Sequence, residues 1–366
     1  MRVLVAMSGG VDSSVAAAVL AEAGHDVVGA TLKLWGGVSD SGCCSVADVD
    51  DARRVAEQLG LDHHVFNFTD AFEESVVTPY VADHAAGRTP NPCIECNRSI
   101  KFGMLLDRTT RLGFDALATG HHARVVGRRD GVGGDAGWGD GVRGDGLTLR
   151  RGTDKKKDQS YVLSMLSERD LARVIFPVGE LTKAEVRGRA AAVGLRTADK
   201  PDSQDVCFIH SGRGRRDFLA DRIELHGAEL VEAGSGDVVG RVPVVELVTV
   251  GQRRGLGVAV DGRRRYALHV DVPARRITVG RSEEAVCRHV AVDRITWVGA
   301  GLARGDRAFG QTSAHGSATP CTWEGDAVAF DEPQALVAPG QTVALYDAGD
   351  PDAVLGAATA TGSAPA

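Results

Sequence analysis

The chain has 366 residues, of which 43% are hydrophobic and 25% charged, and carries a formal net charge of −7. That length exceeds one comfortable core and predicts two or three domains. The composition is that of an ordinary globular protein, and no apolar run is long enough to span a bilayer. From the N-terminus the chain enters a strand pattern at Val3-Leu4-Val5-Ala6-Met7, without the charged head, long apolar stretch and cleavage site of a secretory leader. A cytoplasmic location with no membrane partner is therefore expected. In a reducing compartment the seven cysteines are expected to be catalytic thiols, metal ligands or buried small hydrophobes rather than structural disulfides.

The predicted elements alternate. Val3–Met7 is a continuous apolar run, as in a strand covered on both faces. After a glycine turn, Val11, Val15, Ala18 and Val19 recur at helical spacing. Residues 27–32 predict a second strand, 46–59 a helix, 64–67 a third strand and 116–119 a fourth, which ends at Gly120-His121-His122. This alternation predicts a parallel α/β sheet with helices on both faces. Ligands bind such sheets at the carboxyl ends of the strands, where Gly9-Gly10 and Gly120-His121 both fall.

Residues 127–147 are rich in Gly and Asp and predict a surface loop. Thr182 and Glu185 form a capping box that opens a helix running to about Leu195. After Pro201 short β-rich runs follow: 242–250, 267–272, 277–279, 290–298 and 342–346. They predict a small β-rich central domain and a C-terminal β-barrel or sandwich. Residues 241–290 hold ten arginines against five acids, and 321–366 hold seven acids with no lysine or arginine. A locally basic surface on an acidic chain is compatible with RNA binding and equally with a solvated charged face.

Ser8-Gly9-Gly10-Val11-Asp12-Ser13-Ser14 lies between the first strand and an amphipathic helix. In that setting backbone N–H groups and the positive helix end point at an anion. The glycines permit close approach, and the serine hydroxyls add donors. No Gly-Lys-Ser/Thr ending follows, so this is not a Walker-type loop. The string resembles the pyrophosphatase-type loop of ATP-dependent adenylating enzymes, which transfer AMP to a carbonyl or carboxyl oxygen.

Thr89-Pro90-Asn91-Pro92-Cys93-Ile94-Glu95-Cys96-Asn97-Arg98 is a second signature. Asn97 is expected to cap a helix starting near Arg98. Cys96 would then sit near a helix N-terminus beside Arg98 and Lys101, and both features favour the thiolate. A third signature, Lys200-Pro201-Asp202-Ser203-Gln204-Asp205-Val206-Cys207-Phe208-Ile209, places another cysteine after a polar loop. A thioredoxin-like redox pair lacks the strand that should lead directly into the motif, while buried inert thiols and an iron–sulfur site on Cys93, Cys96 and Cys207 remain open on these residues alone.

With the Lys157-Asp158-Gln159-Ser160-Tyr161 segment and Gly251-Gln252-Arg253-Arg254-Gly255-Leu256-Gly257, these motifs occur together and in order. The set resembles the bacterial tRNA-specific 2-thiouridylase family, over about residues 1–350. The resemblance implies an adenine nucleotide α-hydrolase-like ATP-pyrophosphatase domain over 1–200, a central tRNA-binding domain over 201–278 and a β-barrel over 279–360. It implies thiolation of uridine 34 of tRNA, with ATP and Mg2+, through a C2-adenylated intermediate. It further implies that Ala6, Met7, Ser8, Gly9, Gly10, Val11, Asp12, Ser13, Leu32 and Gly120 bind ATP. Cys207 would carry a persulfide, and Cys96 would act as nucleophile and form a transient disulfide with it. Asn91, Pro92 and the residue at Cys93 would meet the target base. His121, Lys157, Asp158, Gln159 and Gln341 would contact the tRNA. The implied partners are the anticodon loops of Lys, Glu and Gln tRNAs and a persulfide donor, either a cysteine desulfurase or a sulfur-relay protein.

The chain departs from the family at two places. Cys93 stands where many relatives carry aspartate, which supplies a third thiol and raises a [4Fe-4S] variant of the chemistry. Gln311-Thr312-Ser313-Ala314-His315-Gly316 stands where relatives often place a tRNA-contacting arginine. A small-molecule adenylating ligase is the alternative function, and it leaves Cys96 and Cys207 without a task. Cys287 and Cys321 lie in β-like contexts and are expected in the core.

Overall fold

The computed structural model describes residues 1–35, 46–127, 146–202, 206–209, 212, 214–259 and 261–365. Cys43-Cys44, nearly all of the Gly/Asp segment and Ser203–Asp205 lie outside the described residues.

Four strands open the chain: β1 (Arg2–Ala6), β2 (Asp26–Lys33), β3 (Asp62–Asn67) and β4 (Ala116–Thr119). A hairpin of β5 (Ala123–Gly127) and β6 (Leu147–Arg151) follows, then β7 (Val174–Ile175). The first sheet has the order β3-β2-β1-β4-β7 and is parallel throughout. Val3, Leu4 and Val5 of β1 are fully buried, and the strand alternation sends them to different cores. Val3 and Val5 pack with the helix Val11–Glu22 and the helix Lys183–Ala192 on one face, and Leu4 joins the larger core on the other. This two-sided burial is why β1 reads as an unbroken apolar run. The strand order reverses between β1 and β4, so the crevice at their carboxyl ends is a topological switch point.

The second sheet, β10-β11-β8-β9, is built from β8 (Ala228–Glu232), β9 (Val238–Val242), β10 (Tyr266–Asp271) and β11 (Arg276–Gly280). The expected strand over 242–250 is corrected: β9 ends at Val242, and Val245–Leu247 forms a 3-10 turn. Pro243 ends the ladder because it has no N–H to donate.

The remaining strands are β12 (Val286–Trp297), β13 (Arg307–Gln311), β14 (Thr319–Trp323), β15 (Ala327–Ala335), β16 (Thr342–Asp347) and β17 (Ala353–Ser363). They form the antiparallel series β12-β15-β14-β13-β16-β17, which a β12–β17 pairing closes into a six-stranded barrel. Cys287 and Cys321 are buried in its core, as their β-like contexts predict. The β5–β6 hairpin adds to this sheet through Leu149 and Arg150 against Val354 and Ala353. Chain from the first 200 residues thus extends the barrel. The two units also share a core, since Tyr346, Ala344 and Val354 pack in the same cluster as Leu4, Ile100 and Tyr161.

Candidate active site

The loop Ser8–Ser14 leaves β1 and enters its helix at the switch point. Gly9 has φ +72, and a Cβ on it would lie 2.3 Å from the Asp48 carbonyl oxygen, so only glycine fits. Gly120, at the end of β4, is equally confined: a Cβ would meet Ser13 N at 2.5 Å. Ser8 N donates to Ser13 Oγ at 3.2 Å, and Ser13 and Ser14 hydroxyls both donate to Gly10 O. The loop is therefore pre-shaped from within and braced by the neighbouring strand end.

Asp12 is the electrostatic centre of the loop. Lys183 Nζ donates to both of its oxygens at 2.7 Å, and His122 Nε2 donates to Oδ1 at 3.1 Å. Burial pushes the Asp12 carboxyl up, but the bonds from His122 and Lys183 outweigh it and hold it below the ordinary carboxylate range. Lys183 also pairs with Asp202 at 2.8 Å, and Asp202 takes Lys157 at 2.7 Å and Arg187 at 3.2 Å. Burial raises the Asp202 carboxyl, yet its lysine partners outweigh that and pull it down to about 2. Lys200 Nζ donates to Gly9 O at 3.0 Å and reaches Asp48 at 2.6 Å and Asp51 at 2.8 Å.

The helix after Asn91 differs from the expected one. Asn91, not Asn97, is the N-cap, and its Oδ1 accepts from Cys93 N at 3.2 Å and Ile94 N at 3.3 Å. Pro92 takes the first helical position, where its missing N–H costs nothing. Helix runs from Pro92–Glu95 through Cys96–Leu105, with π-type bonding, into Leu106–Arg111. Cys96 thus lies inside the helix and is buried, while Asn97 turns inward and donates to Val162 O at 3.3 Å. Arg98 pairs with Glu95 at 3.2 Å. Asn91, Pro92 and Arg98 line a pocket whose far wall is Arg294, Thr342 and Thr359 of the barrel. Arg294 has φ +47 at an irregular register of the β12–β17 ladder.

Cys207 is half-buried and packs on the same core that contains Cys96. Cys93 is exposed. Among the described residues no group of three or more His, Cys, Asp or Glu is arranged to hold a metal ion. Cys93, Cys96 and Cys207 therefore do not present an iron–sulfur ligand set in this arrangement.

His121, Lys157, Asp158, Gln159 and Gln341, expected to meet tRNA, each bond another residue of the chain. His121 is 8% exposed, lies between Phe102 and Phe176, and bonds Thr119 Oγ1 at 2.7 Å. Burial first, then Lys101 and His122, holds it well below the ordinary histidine range. Lys157 bonds Asp202, and Asp158 accepts from Arg151, Gly152 N and Ser160. Gln159 Oε1 accepts from His122 N at 2.9 Å. The neighbouring Tyr161 hydroxyl donates to Thr342 O, and Arg151 stacks 3.8 Å over the Tyr346 ring and donates to Gln311. The 157–161 segment is thus the junction between sheet and barrel. Leu32 is buried at the end of β2, and Gln341 bonds the Thr89 backbone.

Sequence reading does not single out Lys183 or Asp48, gives His122 no role beside His121, and includes Lys200 only as the first residue of a signature. Each gains its place only by meeting a distant residue, as Lys183 does with Asp12 across 171 positions. Asp202 lies inside a quoted motif, but nothing local marks it as a partner of Lys183.

A parallel sheet with a serine–glycine loop at its switch point, joined to a closed β-barrel, places the chain in the HUP-domain class. A family model described as tRNA methyl transferase HUP domain matches residues 1–211, and one described as aminomethyltransferase beta-barrel domain matches 288–360. The chain is similar to tRNA-specific 2-thiouridylase MnmA of Salinispora tropica, at 44% identity covering 98% of each chain. The same protein of Rhodococcus jostii is 43% identical, covering 99% of this chain and 98% of that one. The chain belongs to the tRNA-specific 2-thiouridylase family. Among solved structures it also matches the U34-tRNA thiolase NcsA from Methanococcus maripaludis with its [4Fe-4S] cluster. That match has 17% identity and a TM-score of 0.34, covers 60% of this chain and 63% of the other, and is too distant to inform the chemistry.

Among the described residues no helix is long and apolar enough to cross a membrane.

Proposed function

We propose that the protein is a cytoplasmic tRNA uridine 2-sulfurtransferase that uses ATP to replace the C2 oxygen of uridine 34 with sulfur. The observation that carries this reading is the bonding of two elements to each other. The root of the segment bearing Cys207, at Lys200 and Asp202, is tied to the phosphate loop through Gly9 O and through Lys183 and Asp12. An adenylating loop alone accounts for a ligase; a loop bonded to the root of a thiol-bearing segment supports adenylation followed by sulfur attack.

In this reading ATP sits on Ala6–Ser13, with Leu32 and Gly120 along the adenosine, and Mg2+ accompanies the phosphates. The uracil C2 carbonyl is a poor electrophile with a poor leaving group. Transfer of AMP to that oxygen releases diphosphate and makes the oxygen part of a good leaving group. The terminal sulfur of a Cys207 persulfide attacks C2, and AMP departs with the former C2 oxygen. The Cys96 thiolate then attacks Cys207 Sγ, the bond to the transferred sulfur breaks, and its electron pair completes the thiocarbonyl. Release of sulfide by Cys96, followed by sulfide attack on C2, is the other route. A Cys96–Cys207 disulfide remains and needs an external thiol reductant. The base must leave its stack, which costs least in a single-stranded anticodon loop. Asn91, Pro92 and Cys93 are at the helix start where it would arrive. His121, Lys157, Asp158, Gln159 and Gln341 support that tRNA-binding face. The expected substrates are Lys, Glu and Gln tRNAs, and the expected sulfur source is a cysteine desulfurase or relay protein.

The test is thiolation of purified tRNA by wild type, Cys96→Ala and Cys207→Ala, with mass spectrometry of uridine 34. Both variants should bind ATP and form no 2-thiouridine. Unchanged thiolation in both would overturn the mechanism, and ATP–diphosphate exchange indifferent to tRNA would favour a small-molecule ligase.

A further inference from the structure

Three thiols lie round one aromatic cluster. Cys207 is half-buried, and its neighbour Phe208 packs edge-on against Tyr80 at 5.3 Å and Phe72 at 5.7 Å. Tyr80 and Ile94 share that core with Cys96. Burial pushes the Tyr80 hydroxyl up, Arg215 pulls it down and Cys93 adds to the rise, which puts the Cys93 sulfur near the same ring. Cys96 is 7% exposed, whereas Cys93, three residues before it, is open to solvent. Both lie in the helix that starts at Pro92, Cys93 in its first turn with its N–H held by Asn91 Oδ1. Side chains three residues apart on a helix share a face. Their Cα atoms stand about 5 Å apart, and a disulfide spans Cα distances of about 4.4–6.8 Å. The Cys93–Cys96 spacing therefore suits a disulfide within one helical turn. A Cys96–Cys207 disulfide, by contrast, would keep its Cys96 sulfur inside the core, out of reach of a reductant in solution.

We propose that Cys93 is a resolving thiol, which takes over the Cys96–Cys207 disulfide left by each round of sulfur transfer and presents the oxidised pair at the surface. The Cys93 thiolate attacks Cys96 Sγ. The Cys93–Cys96 bond forms, the Cys96–Cys207 bond breaks, and the electron pair of the broken bond leaves on Cys207 Sγ as a thiolate that can accept the next sulfur. The exchange gains and loses no electrons. A dithiol reductant then attacks the exposed Cys93 Sγ, passes two electrons and two protons to Cys93 and Cys96, and departs as a disulfide. The pair works within one helical turn and needs no strand leading into it. This role rests on the reading of Cys96 and Cys207 as partners in a transient disulfide and adds the route by which that disulfide is cleared.

The experiment is one anaerobic turnover of the full chain with ATP, Mg2+ and tRNA, the sulfur supplied by a persulfidated cysteine desulfurase freed of small thiols. Remaining thiols are alkylated and the protein is cut with trypsin, which leaves Cys93 and Cys96 on the peptide 89–98 and Cys207 on another. Wild type should give an internal Cys93–Cys96 disulfide and an alkylated Cys207. Cys93→Ser should instead give the peptide 89–98 cross-linked to the Cys207 peptide. Dithiothreitol should reduce oxidised wild type about ten-fold faster than oxidised Cys93→Ser, because it meets an exposed sulfur. In Cys207→Ala the Cys93–Cys96 bond should not form. A wild type that keeps the Cys96–Cys207 bond with Cys93 alkylated would overturn the role, a result that needs no variant to fold. A Cys93–Cys96 bond that forms equally in Cys207→Ala would mark adventitious oxidation and overturn it too. If wild type makes 2-thiouridine with no disulfide at Cys96, the transient-disulfide reading itself falls, which separates the two failures.

Discussion

Gln341 donates from Nε2 to the backbone oxygen of Thr89 at 2.5 Å, across 252 residues of chain. Thr89 N in turn donates to Pro339 O at 2.7 Å. This two-way clasp fastens the barrel to the residues that lead into Asn91 and Cys93. Gln341→Ala should cost about 1 kcal/mol of stability, the usual net worth of one such bond. It should raise the KM for tRNA several-fold while leaving ATP affinity alone. Denaturant unfolding and steady-state thiolation measure the two effects, and a loss confined to ATP binding would contradict the assignment.

Asn91 can serve as helix cap and as base contact, and two substitutions separate these roles. Asn91→Ala removes the acceptor for Cys93 N and Ile94 N and should cost about 1 kcal/mol. Asn91→Ser keeps a capping oxygen and should be near wild type in stability. If the amide also meets the target base, Asn91→Ser should still thiolate tRNA poorly. Full activity in the stable serine variant would limit Asn91 to capping.

Gly9→Ala should abolish function through the backbone. The new Cβ would lie 2.3 Å from Asp48 O, and φ +72 strains any residue with a side chain. Roughly 1–3 kcal/mol of strain is expected, with at least about ten-fold weaker ATP binding as the loop shifts. Calorimetric ATP titration beside a thermal melt checks both.

Asp202 makes a pH prediction. Its folded-state carboxyl lies at about 2 against an ordinary value of 3.8. The lowered value means that its contribution to stability is complete above pH 3.8 and fades as the pH falls through about 2. Asp202→Asn should flatten that part of the stability profile and leave the slope above it unchanged. Urea midpoints measured across the acid range would show it; an identical slope in both proteins would contradict the pairing with Lys183 and Lys157.

The local code carried much of this protein. Parallel strands β1, β2 and β4 were legible because each is an apolar run bounded by turn residues. The turn at Gly9-Gly10 was legible because strand, glycine turn and helix are contiguous. The Thr182–Glu185 capping box formed as read, since both partners lie within one helical turn. What local reading missed was set by partners far away in sequence. Asn97 looks like a cap, yet Asn91 holds that place, because Pro92 starts the helix earlier and Val162 offers Asn97 an inward acceptor. His121 drew attention beside His122, but the strand end turns His122 toward Asp12 and His121 between two phenylalanines. The 157–161 segment reads as a binding motif, and its side chains also weld sheet to barrel.

Residues close together in the chain carry the family resemblance, the serine–glycine loop expected to bind ATP and the two candidate thiols. Only the tertiary structure decided that Lys183 joins Asp12 to Asp202 and that the root of the Cys207 segment docks on the phosphate loop. The Lys183–Asp12 pair spans 171 residues and the Lys200 bond to Gly9 O spans 191, and no periodicity or spacing announces them. They exist because the parallel sheet brings the ends of β1 and β4 side by side and the helix from Lys183 packs against the helix from Val11.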